Sequence, residues 1–261
     1  MNTALLMFTS GVAAIHLEVR NPCYHLTYQL RQAESKMEAD WDRRARGNSR
    51  RWSDVDDLKS ATSDLQKLLD GIKVRKEATV LEIGVGSGRI TKQLANHFEE
   101  VYGIDVSNEM IRLAIERLRD FRNVKIDKGD GRDLSIYPNC KFDLVFSTRV
   151  FQHLPRRFFL GYLDEVHRVM KPTGMFRFQI FERTAIARII PWIWLRYMRH
   201  LHGRFWADPP DDDTWISRSY SREELTRILE MKGFSEIAMR NYSGYEGDLW
   251  VSGRPTPDIV N

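Results

Sequence analysis

The run VLEIGVGSGRI, from Val80 to Ile90, constrains this chain more than any other stretch. An apolar, strand-like segment leads straight into Gly84, Gly86 and Gly88, and a helical pattern begins directly after them. Glycine at such a corner lets the backbone turn tightly and lets a ligand approach the main chain with no Cβ in the way. The flanking sequence continues in the same style. Strand-like and helix-like runs alternate: ATVLEI then RITKQLANHF, VYGID then NEMIRLAIERLR, NVKIDKGD, FDLVFS then a helix from Arg156 to Met170, and GMFRFQIF. Such alternation predicts an α/β fold with a doubly wound, mostly parallel sheet.

A glycine-rich turn alone does not identify its ligand, because dinucleotide-binding folds share it. Here the spacing is G-x-G-x-G, and residue 89 is Arg where the dinucleotide fingerprint needs a small residue for close helix packing. Asp105 ends the next strand-like run, where a carboxylate can accept both hydroxyls of a ribose, and Asp130 ends the third, within reach of an adenine amino group. Two carboxylates and a bare turn outline an adenosine. Taken singly, Asp130 is equally at home as a turn residue, and Asp133 reads as a helix cap.

With these residues in place, the chain resembles the class I S-adenosylmethionine-dependent methyltransferases, in particular the small-molecule group related to ubiquinone-biosynthesis enzymes. The resemblance covers about Lys73 to Phe181. It implies a Rossmann-like methyltransferase fold and S-adenosyl-L-methionine as cofactor. It further implies that Glu82, Gly84, Gly86 and Gly88 lie beside the methionyl end and that Asp105 holds the ribose. Val106, Ser107 and Met110 in DVSNEM match residues beside the adenine, and Asp130 and Gly131 in GDGRDL match the adenine-amide segment. FDLVFSTRVFQHLP, with Ser147, resembles the fourth strand and the loop facing the transferred methyl, and EVHRVMKPTGMFRFQ resembles the lead into strand five.

Methyl transfer from a sulfonium is an in-line substitution that needs alignment more than acid-base help. A base matters when the acceptor is a hydroxyl, and His153 in VFQHLP is the candidate by position, with a pKa expected near neutrality. Its alternative role is to shape the loop. Strand four ends in Ser147, Thr148 and Arg149 rather than in the Asn/Asp-Pro-Pro-aromatic sequence that resembling families use on exocyclic amino groups. No carboxylate cluster accompanies this strand end, so no metal is expected. The expected activity is methylation of a small molecule, most readily at oxygen, with an RNA-modifying or RNA-binding protein and small-molecule N-methylation as alternatives.

Around that core the chain divides into 1–72, a helical extension and flap; 73–181, the cofactor-binding core; 182–220, an inserted helical cap; and 221–261, a helix and strand pair completing the core. In the first part, Trp41 and Arg46 fit a flap over the cofactor. The arginines at 43, 44, 46, 50 and 51, between Trp41 and Trp52, could suggest RNA, but Asp40, Asp42, Asp54, Asp56 and Asp57 dilute them. In the insertion, Ile186, Ile189, Ile190, Ile193, Trp194, Tyr197, Met198 and Leu201 recur at helical spacing. The stripe reads first as a cap over the acceptor pocket, with Trp194 and Tyr197 touching the acceptor, then as a dimer surface, then as a membrane-interface helix.

Bulk composition bounds the remaining questions. Lys+Arg number 40 against 36 for Asp+Glu, which makes no strong overall field for nucleic acid or membrane. Two cysteines outside any C-x-x-C spacing suit a reduced, cytoplasmic protein and exclude a cysteine zinc site. The apolar N-terminal run lacks a Lys/Arg n-region and falls short of the roughly 20 residues a spanning helix needs. It is expected to be an accessory helix, or sequence upstream of a domain beginning near Met37. A monomer or homodimer is expected, with no nucleic acid and no stable membrane insertion.

Overall fold

The computed structural model describes residues 36–46, 56–73, 75–183, 218–242 and 248–256. Helix α1 spans 36–46 and α2 spans Asp56–Leu69. The core then alternates β1 (Thr79–Ile83), α3 (Arg89–Ala95), β2 (Glu100–Asp105), α4 (Asn108–Leu118), β3 (Val124–Lys128), β4 (Phe142–Ser147), α5 (Arg156–Val169) and β5 (Met170–Glu182). A short β6 (Ser219–Tyr220), helix α6 (Arg222–Met231), β7 (Phe234–Arg240) and β8 (Asp248–Pro255) follow.

The strands form one sheet in the order β3-β2-β1-β4-β5-β8-β7, with β6 also paired to β5. Strands β1 to β5 are parallel, β8 runs antiparallel to β5, and β7 antiparallel to β8. Parallel strands covered on both faces read as nearly continuous apolar runs, and alternation sends neighbouring residues to opposite layers. Leu81, Ile83, Val145, Phe176, Phe178 and Ile180 pack with Phe159 and Leu163 of α5 and Leu225 and Ile228 of α6. Val80, Val101, Leu144 and Phe146 pack with Leu65 and Leu68 of α2 and Ile90 and Leu94 of α3.

Chain order reverses between β1 and β4, because the chain leaves β1 toward β2 and β3 and returns to β4 on the other side. Open α/β sheets bind ligands at the carboxyl ends of strands beside such a switch point. Two helices that matter to this edge start on serine caps. The Ser107 hydroxyl accepts from Met110 N at 3.1 Å at the head of α4, and the Ser221 hydroxyl accepts from Glu224 N at 3.2 Å at the head of α6.

The insertion expected at 182–220 falls for the most part outside the described residues, and Trp194 and Tyr197 with it. Its last residues belong to the sheet: Phe181 pairs with Ser219, and Glu182 with Tyr220. No described helix is long and apolar enough to cross a membrane.

Candidate active site

At the carboxyl end of β1 the three glycines have different surroundings. All have positive φ: 78° at Gly84, 54° at Gly86 and 76° at Gly88. A Cβ on Gly84 would lie 2.2 Å from Val150 Cγ2, and one on Gly88 would lie 2.8 Å from Leu118 Cδ1 and 3.3 Å from the Ala114 backbone. Gly84 therefore makes room for the loop after β4, and Gly88 lets the turn pack against α4. A Cβ on Gly86 would meet nothing within 4 Å. Of the three, Gly86 is the one that borders open space.

Asp105, at the end of β2, organises this turn. Its Oδ2 accepts Gly86 N at 2.8 Å and its Oδ1 accepts Ser107 N at 2.9 Å. An ionised carboxylate offers about four acceptor positions, so the backbone bonds from Gly86, Ser107 and Val106 leave acceptor capacity for a ligand. Burial raises the Asp105 pKa against the opposing pull of these backbone bonds. The Val106 carbonyl oxygen accepts a hydrogen bond from Lys128 Nζ, and Met110 is buried on α4. Asp130 lies two residues beyond β3, where Oδ1 accepts Arg132 N at 2.8 Å and Oδ2 accepts Arg132 Nε at 3.0 Å. Beside it Gly131 has φ 82°, and a Cβ there would come 2.8 Å from Met37 Cε.

Helix α1 closes over this edge. Met37 is buried in the core, and Trp41 packs against the same cluster. Asp42 Oδ1 accepts the Ser107 hydroxyl at 2.5 Å and Glu109 N at 3.1 Å, while Glu38 receives Asn108 Nδ2 and pairs with Lys128 at 3.1 Å. Burial opposes the Asp42 charge, but the Ser107 and Glu109 bonds with Arg46 and Lys128 outweigh it, so its pKa is lowered. Sequence reasoning missed Asp42, treating it only as a charge that dilutes the nearby arginines. Those arginines are partly spoken for: Arg43 pairs with Asp40 at 3.3 Å, Arg46 with Asp42 at 3.5 Å, and Arg44 lies over the Trp41 ring at 4.9 Å. Arg50, Arg51 and Trp52 lie outside the described residues.

His153 ends the short 3-10 turn Phe151–His153 after β4, with its ring edge-on to Trp41 at 5.2 Å between centroids. Its Nδ1 is buried and has no hydrogen-bond partner among the described residues. The expected near-neutral pKa is corrected by the structure: burial, then the charges of Arg44 and Arg218, push it down to about 3. The ring is neutral at every physiological pH. Glu82, fully buried on β1, is moved the other way, to about 8, because desolvation outweighs the Thr91 hydroxyl bond and the Arg89 charge. Ser147 turns inward and donates its hydroxyl to Ile83 O at 2.9 Å, which ties the ends of β4 and β1 together. Among the described residues no group of three His, Cys, Asp or Glu side chains could hold a metal ion.

An open cradle at Gly86, beside a carboxylate with acceptor capacity to spare, fits a nucleoside-bearing cofactor whose main chain contacts run along β1 and β2. Residues 80–174 match the family model described as a methyltransferase domain. The chain carries an S-adenosylmethionine-dependent methyltransferase domain. It is similar to the demethylmenaquinone methyltransferases of Staphylococcus saprophyticus, at 24% identity, and Staphylococcus aureus, at 27%. Both alignments run over 188 residues, covering 69% of this chain and 79% and 77% of those relatives. Two solved structures share its fold. The DhpI complex with SAH superposes with a TM-score of 0.61 at 22% identity, covering 86% of this methyltransferase and 98% of that chain. The magnesium protoporphyrin IX methyltransferase from Synechocystis with bound SAH gives 0.62 at 14%, covering 85% and 100%.

Proposed function

We propose that this methyltransferase acts on a hydroxyl oxygen of a small, partly apolar acceptor lying beside Trp41 of α1 and the turn after β4. In this reading Gly86, Asp105, Glu82 and the Asp130–Gly131 turn hold the cofactor, and His153 faces the acceptor. The demethylmenaquinone methyltransferases to which it is similar act, by their name, on a quinone-type acceptor, and a molecule with an apolar ring would suit the Trp41 surface.

The observation that carries the reading is the unpartnered, buried Nδ1 of a neutral His153. A buried ring nitrogen without a donor loses free energy that a ligand hydroxyl would restore. Held by these residues, the cofactor would supply a sulfonium methyl for in-line transfer to the acceptor oxygen, with sulfur as the leaving group. The newly bonded oxygen then carries a proton far more acidic than an imidazolium, even one of pKa about 3. His153 therefore need not be a strong base. It orients the hydroxyl by accepting its hydrogen bond and takes the proton once the oxygen has become acidic.

Incubation of the full chain with methyl-labelled cofactor and a panel of hydroxylated aromatic and aliphatic compounds tests this. Methyl ethers are the expected products, identified by mass and NMR. Methylation only at carbon or nitrogen, or incorporation into RNA with none into small molecules, would overturn the reading.

A further inference from the structure

The acceptor end of the sheet holds two buried glutamines with no hydrogen-bond partner. Gln152 and Gln179 are each 3% exposed, and the Oε1 of each is buried and unsatisfied. Among the described residues neither side chain has a hydrogen-bond partner. Buried side-chain amides nearly always find partners, so two orphans in one region call for an explanation.

Topology places both residues along the same edge of β5. Pairing of β5 with β4 ends at Phe178 opposite Ser147, and pairing with β6 begins at Phe181 opposite Ser219. Because Phe181 also pairs with Asp248 of β8, β6 lies on the β4 edge of β5. Gln179 stands in the gap where β4 has left the sheet and β6 has not yet joined it. The residue before β6 fastens the turn after β4 to the same place: Arg218 N donates to Gln152 O at 2.6 Å. Gln152 is in turn the chain neighbour of His153, whose Nδ1 is the third unsatisfied buried acceptor here.

We infer that Gln152 and Gln179 are specificity-determining residues, which take up polar groups of the acceptor other than the one that is methylated. Their unsatisfied atoms are amide oxygens, so they call for donors such as hydroxyl groups. The acceptor class is then a compound with at least two hydroxyl groups: one is presented to His153, and the others are read by the glutamines. This rests on the proposal that the acceptor lies at this edge.

The test uses the full chain saturated with S-adenosylhomocysteine, and variants Gln152→Met and Gln179→Met, which keep the side-chain length and remove the amide. Phenol and the three benzenediols are the probes, followed by ligand-detected NMR. The parent chain is expected to bind at least one diol at least fivefold more tightly than phenol, and the variants to lose that preference while binding phenol unchanged. Removing an unsatisfied buried polar group should also raise Tm by about 2–4 °C, whereas losing a structural bond would lower it. Equal binding of phenol and diols by the parent, failure of every probe to bind, a preference that survives in both variants, or a lowered Tm would each overturn the inference. Weaker S-adenosylhomocysteine binding by the variants would overturn it too, assigning the glutamines to the cofactor. The methyl-transfer reading fails separately, through its products, since neither NMR binding nor Tm depends on turnover.

Discussion

The Asp42 carboxylate accepts the Ser107 hydroxyl at 2.5 Å and so fastens α1 to the head of α4. Ser107 is also bonded through its backbone N to Asp105, and Asp105 to Gly86 N. One chain of hydrogen bonds therefore runs from the helix that carries Trp41 to the glycine turn. Asp42→Ala removes the acceptor for Ser107 Oγ and Glu109 N at a side chain only 13% exposed. A loss of about 1–3 kcal/mol in stability is expected, and cofactor affinity should fall with it, measured by denaturant melts and calorimetry with S-adenosylhomocysteine. An unchanged cofactor affinity would disconnect α1 from the site.

The glycines should separate by variant. Alanine at Gly84 or Gly88 drives a methyl into Val150 or into Leu118 and the Ala114 backbone, and the damage should appear in Tm. Gly86→Ala meets no atom and carries only the left-handed backbone penalty, roughly 1–2 kcal/mol. Its main effect should be on cofactor binding, because the new methyl stands where a ligand would approach. Normal cofactor binding by a folded Gly86→Ala chain would remove the turn from the site.

Much of this architecture is legible in sequence because it depends on local pattern. The apolar runs at β1 and β4 announce buried parallel strands, and Ser221 with Glu224 announces the start of α6. What escapes is set by partners distant in the chain. The Asp42 bond spans 65 residues, and the buried Arg177 reaches 107 residues back to Asp70 O at 2.6 Å. Nothing near Gly84 in sequence reveals that Val150 lies over it. His153 could be placed at the right edge by position alone, but its pKa depends on burial and on Arg44 and Arg218, from elements that flank it only in the folded chain.

Glu82 gives a pH signature. Its folded pKa of about 8 lies above the ordinary 4.5, so between those values the folded chain holds a proton that the unfolded chain releases. Stability from this group is full below pH 4.5 and declines as pH rises toward 8. Glu82→Gln should flatten the decline and gain stability relative to the parent at pH 8.5 more than at pH 5. If the cofactor's methionyl ammonium comes near this carboxyl, binding should release a proton at pH 7, visible as a calorimetric heat that depends on the buffer's ionisation enthalpy. Parallel stability curves for parent and variant would show that Glu82 does not titrate in this window.

His153 makes the sharpest prediction, since its folded pKa is depressed to about 3. The unfolded chain takes up a proton near pH 6.5 that the folded chain refuses. The associated stability is therefore complete above pH 6.5 and is lost as pH falls toward 3. Replacement by Asn, which has no such proton to take up, should blunt the acid sensitivity while costing the Trp41 ring contact. In catalysis, a base already neutral at pH 6 cannot produce a neutral-range titration, so turnover should show no inflection attributable to His153 between pH 6 and 8. Turnover on a hydroxyl acceptor should nevertheless drop by about 10²–10⁴ in His153→Asn, the usual size for a lost proton acceptor, with S-adenosylhomocysteine affinity held within about 0.5 kcal/mol. Steady-state rates across pH and calorimetry on the same preparations decide the matter. A His153→Asn chain that kept turnover within twofold would leave the ring as a packing partner of Trp41 and move the proton to solvent.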